Sequence, residues 1–188
     1  LNDTVNPIEI TFTDDALWRQ AITEVDVDGR RIDPQNYVIS EGKITFNPGV
    51  LSLETHNIKV IASNYTNASV NQEVVLAQPP TLTADSTLND TENPIEITFT
   101  DDALWRQAIT EVDVDGNRIT QDNYVISEGK ITFNPGVLSA ESHYIKVFAT
   151  NYTDATVSQE VNLGTPPTVG GSGTITASNA TQDSIDLS

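Results

Sequence analysis

The chain repeats itself. Leu1 to Pro80 returns as Leu88 to Pro167, 87 residues later, with about four positions in five unchanged. That period is too long for a solenoid unit and suits one small domain, so the sequence predicts two tandem copies of one module. Roughly 90 residues per copy can bury one modest core without staples. The chain has no cysteine from which disulfides or thiolate metal sites could be made. It also lacks methionine and opens on Leu-Asn-Asp-Thr, which reads as a processed or excised piece. The sequence shows no basic-then-apolar leader and no apolar run of about 18 residues.

Charge narrows the partners. Asp plus Glu total 27 against 9 Lys plus Arg, a formal net charge of −18. Such a field repels phosphate backbones and anionic headgroups, so nucleic-acid and membrane-surface functions are excluded, and without an apolar run of about 18 residues no direct membrane insertion is expected.

Period-two alternation dominates each copy and predicts strands. In the first copy the strands are expected at Ile8–Thr13, Glu24–Val27, Asn36–Ile39, Lys43–Phe46, Ile58–Ala62 and Val70–Val74. Asp28-Gly29 reads as a tight hairpin turn, and Gly42 supplies the positive φ of a second. The copies themselves test the faces. From Leu53 to Ala77 they differ only at odd positions, which predicts that Ile58, Val60, Ala62, Val70, Val74 and Leu76 face inward. Asp14 to Ile22 breaks the alternation and predicts a short helix. Thr13 or Asp14 would cap it, and Leu17, Trp18, Ala21 and Ile22 would form its apolar stripe, with Trp18 anchored in the core. The fold class is therefore all-β: two tandem immunoglobulin-like sandwiches, each with one short helix.

The prolines suggest the boundaries. The expected organisation is a first module over 1–78 without its opening strand and a second over 79–164. A Pro/Gly linker over 165–173 follows. Pro79 to Asp85 opens the second module as its first strand, after a stiff diproline. The first module has no counterpart and is expected to present an unpaired strand edge, a place for strand addition.

The run Ile10-Thr11-Phe12-Thr13-Asp14-Asp15-Ala16-Leu17-Trp18-Arg19-Gln20-Ala21-Ile22 carries a family resemblance. So do Val27-Asp28-Gly29, Tyr37, Gly42-Lys43-Ile44, Lys59-Val60, Asn64-Tyr65-Thr66 and Ala68-Ser69-Val70. Together they resemble the haemoglobin-interacting domain family, named after modules of a Gram-positive haem-uptake receptor. The resemblance covers nearly all of both repeats. It implies modules of large exported bacterial proteins, often beside fibronectin type III domains, at the cell surface or outside the cell. Residues 174–188 resemble the truncated opening of a fibronectin type III domain.

Candidate chemistry is sparse. Haem needs an axial ligand in an apolar slot. Each copy offers one histidine, His56 or His143, expected at the surface of a strand edge. Asp26-Val27-Asp28-Gly29 hints at a calcium loop, but the distal carboxylate Asp33 becomes Thr120 in the second copy, and a hairpin turn explains the residues. Asp14-Asp15 beside Glu24 reads as helix capping rather than a cation site. Trp18 and Trp105 would stack on sugars only if exposed. Tyr144 and Phe148 replace Asn57 and Ile61 on the outward parity and form a candidate contact patch. No nucleophile-elbow motif accompanies either histidine. The expected function is that of non-catalytic accessory or spacer modules, with no catalytic residue, no metal and no cofactor, and with neighbouring domains of the same polypeptide as partners. Protein binding (haemoglobin or another host protein) and glycan binding are the alternatives.

Overall fold

A computed structural model describes residues 2–166. The linker and the fibronectin-like start expected beyond them lie largely or wholly outside the described residues. The first copy contains β1 (Ile8–Thr11), α1 (Ala16–Ala21), β2 (Ile22–Val27), β3 (Arg30–Arg31), β4 (Tyr37–Ser40), β5 (Lys43–Phe46), β6 (Thr55–Ala62) and β7 (Ala68–Glu73). The second repeats them as β8 (Ile95–Thr98), α2 (Ala103–Ala108), β9 (Ile109–Val114), β10 (Asn117–Arg118), β11 (Tyr124–Ser127), β12 (Lys130–Phe133), β13 (Ser142–Ala149) and β14 (Ala155–Glu160).

Each copy pairs its strands into two antiparallel sheets, ordered β1-β5-β4 and β3-β2-β6-β7 in the first and equivalently in the second. The chain crosses between sheets through α1, through a short 3-10 turn at Pro34–Asn36, and through the turn after Phe46. Alternation explains the result. Ile8, Ile10, Ile44 and Phe46 project from one sheet and Val25, Val27, Ile58 and Val60 from the other, and together they form a buried cluster. Each such side chain contributes ~1.5–3 kcal/mol on burial. The architecture is an immunoglobulin-like β-sandwich, twice over.

The tight turns follow the sequence. Asp28 (φ +54) and Gly29 (φ +78) both sit in the left-handed region, as a two-residue hairpin with type I′ geometry requires. Of the positions expected to face inward, Ile58, Val60, Ala62 and Val74 are buried. Val70 is 45% exposed and Leu76 only half-buried. The physical reason at Val70 is a cavity of about 120 Å³ beside it, which Trp18 and Ala68 also line.

The helix departs from expectation in three ways. Its cap is Asp15, whose carboxylate accepts from the amides of Leu17 and Trp18. Asp14 instead binds the Arg19 guanidinium with two hydrogen bonds and accepts the Gly42 amide, tying the helix to the β4–β5 turn. Leu17 is 72% exposed and off the buried stripe. Six residues form less than two turns, so only Trp18, Ala21 and Ile22 reach inward.

The copies also touch. The Thr4 hydroxyl donates to the Asn151 carbonyl at 2.7 Å, and the Ala77 amide donates to the same oxygen at 3.0 Å. Val5 packs against the second core, of which Ala77 is a buried member. Residues 79–85 do not form a full ladder. One antiparallel bridge, Thr83 to Thr98, holds them against β8.

Candidate functional site

The histidines are the clearest departure from the sequence reading: His56 and His143 are 4% and 5% exposed, not surface residues. Asp28 folds back from its turn and faces both the ring and the backbone of β6. One carboxylate oxygen accepts the Asn57 amide at 2.8 Å, and the other lies 2.7 Å from His56 Nδ1. His56 Nε2 lies 3.0 Å from the Ser52 carbonyl oxygen, and the Ser52 hydroxyl contacts Glu54 at 2.9 Å. The second copy repeats the set with Asp115, Ser139 and His143, at 2.7 Å and 2.9 Å to the two ring nitrogens.

The closest group to each ring nitrogen is an oxygen with no proton to give, and the serine hydroxyl 3.4 Å from Nε2 donates to Glu54 or Glu141 instead, so this arrangement favours the imidazolium, which donates from both nitrogens. Burial opposes the charge on His56. The Asp28 hydrogen bond, the Ser52 carbonyl and the Asp28 and Glu54 charges outweigh it and raise the His56 pKa above its ordinary value. The same causes raise His143, with Asp115, Ser139 and Glu141 in those roles. The imidazole holds Asp28 below the usual carboxylate range, helped by the Asn57 amide.

Asp28, Glu54 and His56 bring one donor atom each within 4.8 Å of one another. A metal would need to replace the Nδ1 proton, and ligand atoms ~2 Å from zinc sit farther apart than the 2.7 Å seen here. The cluster reads as a latch joining the β2–β3 turn to β6. Asp26 does not join it. Its side chain is buried on β2 beside Lys59, at 3.3 Å. Asp33 caps the 3-10 turn through the Gln35 amide.

The tryptophans differ between copies. Trp105 is fully buried, edge-on to Phe99 at 4.9 Å, and its indole N–H has no partner among the described residues. Trp18 makes the same edge contact with Phe12 but is only half-buried. Neither forms a flat exposed platform of the kind that stacks on sugars. Tyr144 is 52% exposed as expected, whereas Phe148 is half-buried beneath the Lys146 ammonium, 4.7 Å from its ring centre. The expected Tyr144–Phe148 patch therefore reduces to one exposed tyrosine.

Two features escaped the sequence reading. Leu17 and Leu104 stand out on their helices, at 72% and 62% exposed. Gln159 is completely buried, holding the backbone of Asp85. Its signal was present: Gln72 and Gln159 are unchanged polar residues on the inward parity of a strand.

No helix among the described residues is long and apolar enough to cross a membrane. A family profile described as "Heme-binding protein Shr-like, Hb-interacting domain" matches residues 1–75 and again 82–162. No curated protein matches the sequence. Solved structures with a similar outline include a Bacteroides ovatus mixed-linkage glucan utilization protein, SGBP-B, in complex with a heptasaccharide. It is 17% identical with a TM-score of 0.34, over 86% of this chain and 42% of that one. Murine CEACAM1b aligns at 9% identity and a TM-score of 0.34, over 86% and 94% of the two chains. The four N-terminal immunoglobulin domains of Dscam1 align at 12% identity and a TM-score of 0.34, over 92% and 52%. Scores this low carry no argument beyond the sandwich already described. The chain spans less than half the length of the first of these structures.

The histidines and exposed tyrosines offer haem no axial ligand in an apolar slot. Both nitrogens of each histidine are engaged, the sequence has no Met or Cys, Tyr65 and Tyr144 stand on open surface, and Tyr37, Tyr124 and Tyr152 are packed within the sandwiches.

Proposed function

We propose that this chain, which belongs to the haemoglobin-interacting domain family of Shr-like haem-binding proteins, serves as a pair of non-catalytic protein-recognition modules on a bacterial surface protein, with haemoglobin as partner. The observation that carries this reading is the family match itself, made independently by both copies over most of their length. The geometry is compatible with contact to a haem carrier rather than with haem capture. The one histidine of each copy is spent on a structural latch, while each helix presents an exposed leucine beside a rigid sandwich. Two copies on one chain raise avidity for a multi-subunit partner without a new contact.

Calorimetry of the full chain with haemoglobin tests the reading. Saturable binding is expected, and added chain should leave the Soret band of free haemin unchanged. Absence of binding up to about 100 μM haemoglobin, where a micromolar site would be saturated, would remove it.

A second reading, spacing of neighbouring domains, is favoured by the contact between copies. Thr4, Val5 and Ala77 of the first reach Asn151 and the core of the second. It predicts an elongated two-lobed particle in small-angle scattering, with the lobes held in one arrangement. Glycan binding loses support because both tryptophans pack against phenylalanines.

A further inference from the structure

The substitutions that separate the copies favour apolar side chains at one place, the end of the first copy that meets the second. Val5, Leu53, Val75 and Ala77 stand where the second copy has Glu92, Ala140, Asn162 and Gly164, and each is the more apolar of its pair. Val5 and Ala77 are used within the chain, the one packed against the second core and the other part of it. Leu53 and Val75 are left over, 53% and 47% exposed. They frame a groove of about 390 Å³ whose walls include Leu76 and Gln78 of the first copy and Thr153 of the second. The groove runs straight into the joint, where the Ala77 amide donates to the Asn151 carbonyl and the Ala77 carbonyl accepts the Thr153 amide.

This face is not the track of the chain that leads into a copy. In the second copy residues 77–87 are in place, and Leu88 lines a different cavity, with Asn93 and Pro94. Ala140, Glu160 and Asn162, the counterparts of Leu53, Glu73 and Val75, are exposed with that chain present. The rim of the groove is acidic. Glu54 and Glu73 line it, and among the described residues neither pairs with a lysine or arginine. A second copy of this chain is a poor occupant, because a net charge of −18 opposes self-association. Apolar walls continuous with an interface, under unpaired carboxylates, suit a cationic protein surface instead.

We propose that this joint groove is the docking surface for the protein partner, and that it takes a segment presenting an aliphatic or aromatic side chain beside a lysine or arginine. The apolar side chain covers Leu53, Val75 and Leu76, and the cation faces the Glu54 and Glu73 carboxylates. The pair thereby offers a contact that neither copy offers alone, since Thr153 supplies one wall and the Ala77 hydrogen bonds hold it there. The proposal rests on the protein-recognition reading above, with haemoglobin as the probe.

Calorimetry with haemoglobin compares the full chain with a Leu53→Ala, Val75→Asn double variant. Both replacements are the second copy's own residues at these positions, so the fold accepts them. Binding should weaken about tenfold or more, with the melting temperature unchanged. Glu73→Gln removes a rim charge and should weaken binding about twofold to threefold at low ionic strength, the loss disappearing in high salt. A measurement on the unsubstituted chain stands beside these variants: added haemoglobin should slow hydrogen exchange over residues 53–55 and 74–78. Undiminished affinity in the double variant, or slowing confined to other surfaces, overturns the groove and leaves the haemoglobin reading standing. No binding by the unsubstituted chain removes both.

Discussion

The two copies differ most where their sequences do not. Trp18 and Trp105, Val70 and Val157, and Gln72 and Gln159 are identical pairs. In each pair the second-copy residue is more deeply buried. In the second copy the cover is the segment from Ala77 to Asp85, whose Leu82 enters the buried cluster and closes the seam between its sheets. Burial here is a property of what covers a residue, not of the residue. A second asymmetry comes from real substitutions. Val5 and Ala77 pack toward the second core, while their counterparts Glu92 and Gly164 lie together at the far end, where a Cβ on Gly164 would collide with the Glu92 side chain.

The tryptophan pair offers the largest test. Trp105→Ala should cost ~3–5 kcal/mol, the range for emptying a fully packed aromatic site. Trp18→Ala should cost clearly less, because its cavity is already partly open. Chemical denaturation followed separately in the two copies reads the difference, and equal losses would break the comparison. The glutamine pair comes next. Gln159→Ala leaves the Asp85 amide and carbonyl without their partner and should cost ~1–3 kcal/mol. Gln72→Ala should be close to neutral.

How much of this was legible depends on how far each partner lies along the chain. Alternation within Ile8–Thr11 or Lys43–Phe46 is local, and it placed those strands and their buried faces. The Asp28-Gly29 turn was legible for the same reason. The latch was not, because the carboxylate that His56 meets lies 28 residues earlier. His56 stands, like Gln72, on the inward parity of its strand, but nothing near it in sequence names its partner. Leu17 misled because a stripe argument assumes a longer helix, whereas the Asp15 cap starts this one late and Ile22 already opens β2. Gln72 and Gln159 stood on the inward parity in plain view. Parity identifies the face, and only the fold shows that a backbone arrives there to be held.

The latches sharpen the comparison through pH, because here the copies are alike. Each histidine has its pKa raised in the fold, so its contribution is complete below the unfolded value near about 6.5 and is lost as pH rises through the raised one. Asp28 and Asp115 are lowered, so theirs is present above about 4 and lost as acid protonates them. Both copies should therefore be most stable in mildly acidic solution and weaken together toward alkaline pH. His56→Gln should flatten the alkaline limb of the first copy alone. Parallel melting curves at pH 6 and pH 9 decide it, and a limb unchanged by His56→Gln would show that the imidazolium is not the species held.

The smallest expected effect separates two lysines that the repeat makes equivalent. Lys59 pairs with Asp26, a side chain only 8% exposed, whereas Lys146 turns to Asp154, which replaces Asn67 and is 41% exposed. Asp154→Asn removes a surface pair and should change stability by less than ~1 kcal/mol, less still in high salt. Lys59→Ala instead strands a buried carboxylate whose other oxygen already lacks a partner, so its cost should exceed that of Asp154→Asn and resist salt. If the two substitutions prove equal, the two sheets meet solvent alike at this point. The difference between the copies would then be confined to the seam that Leu82 closes.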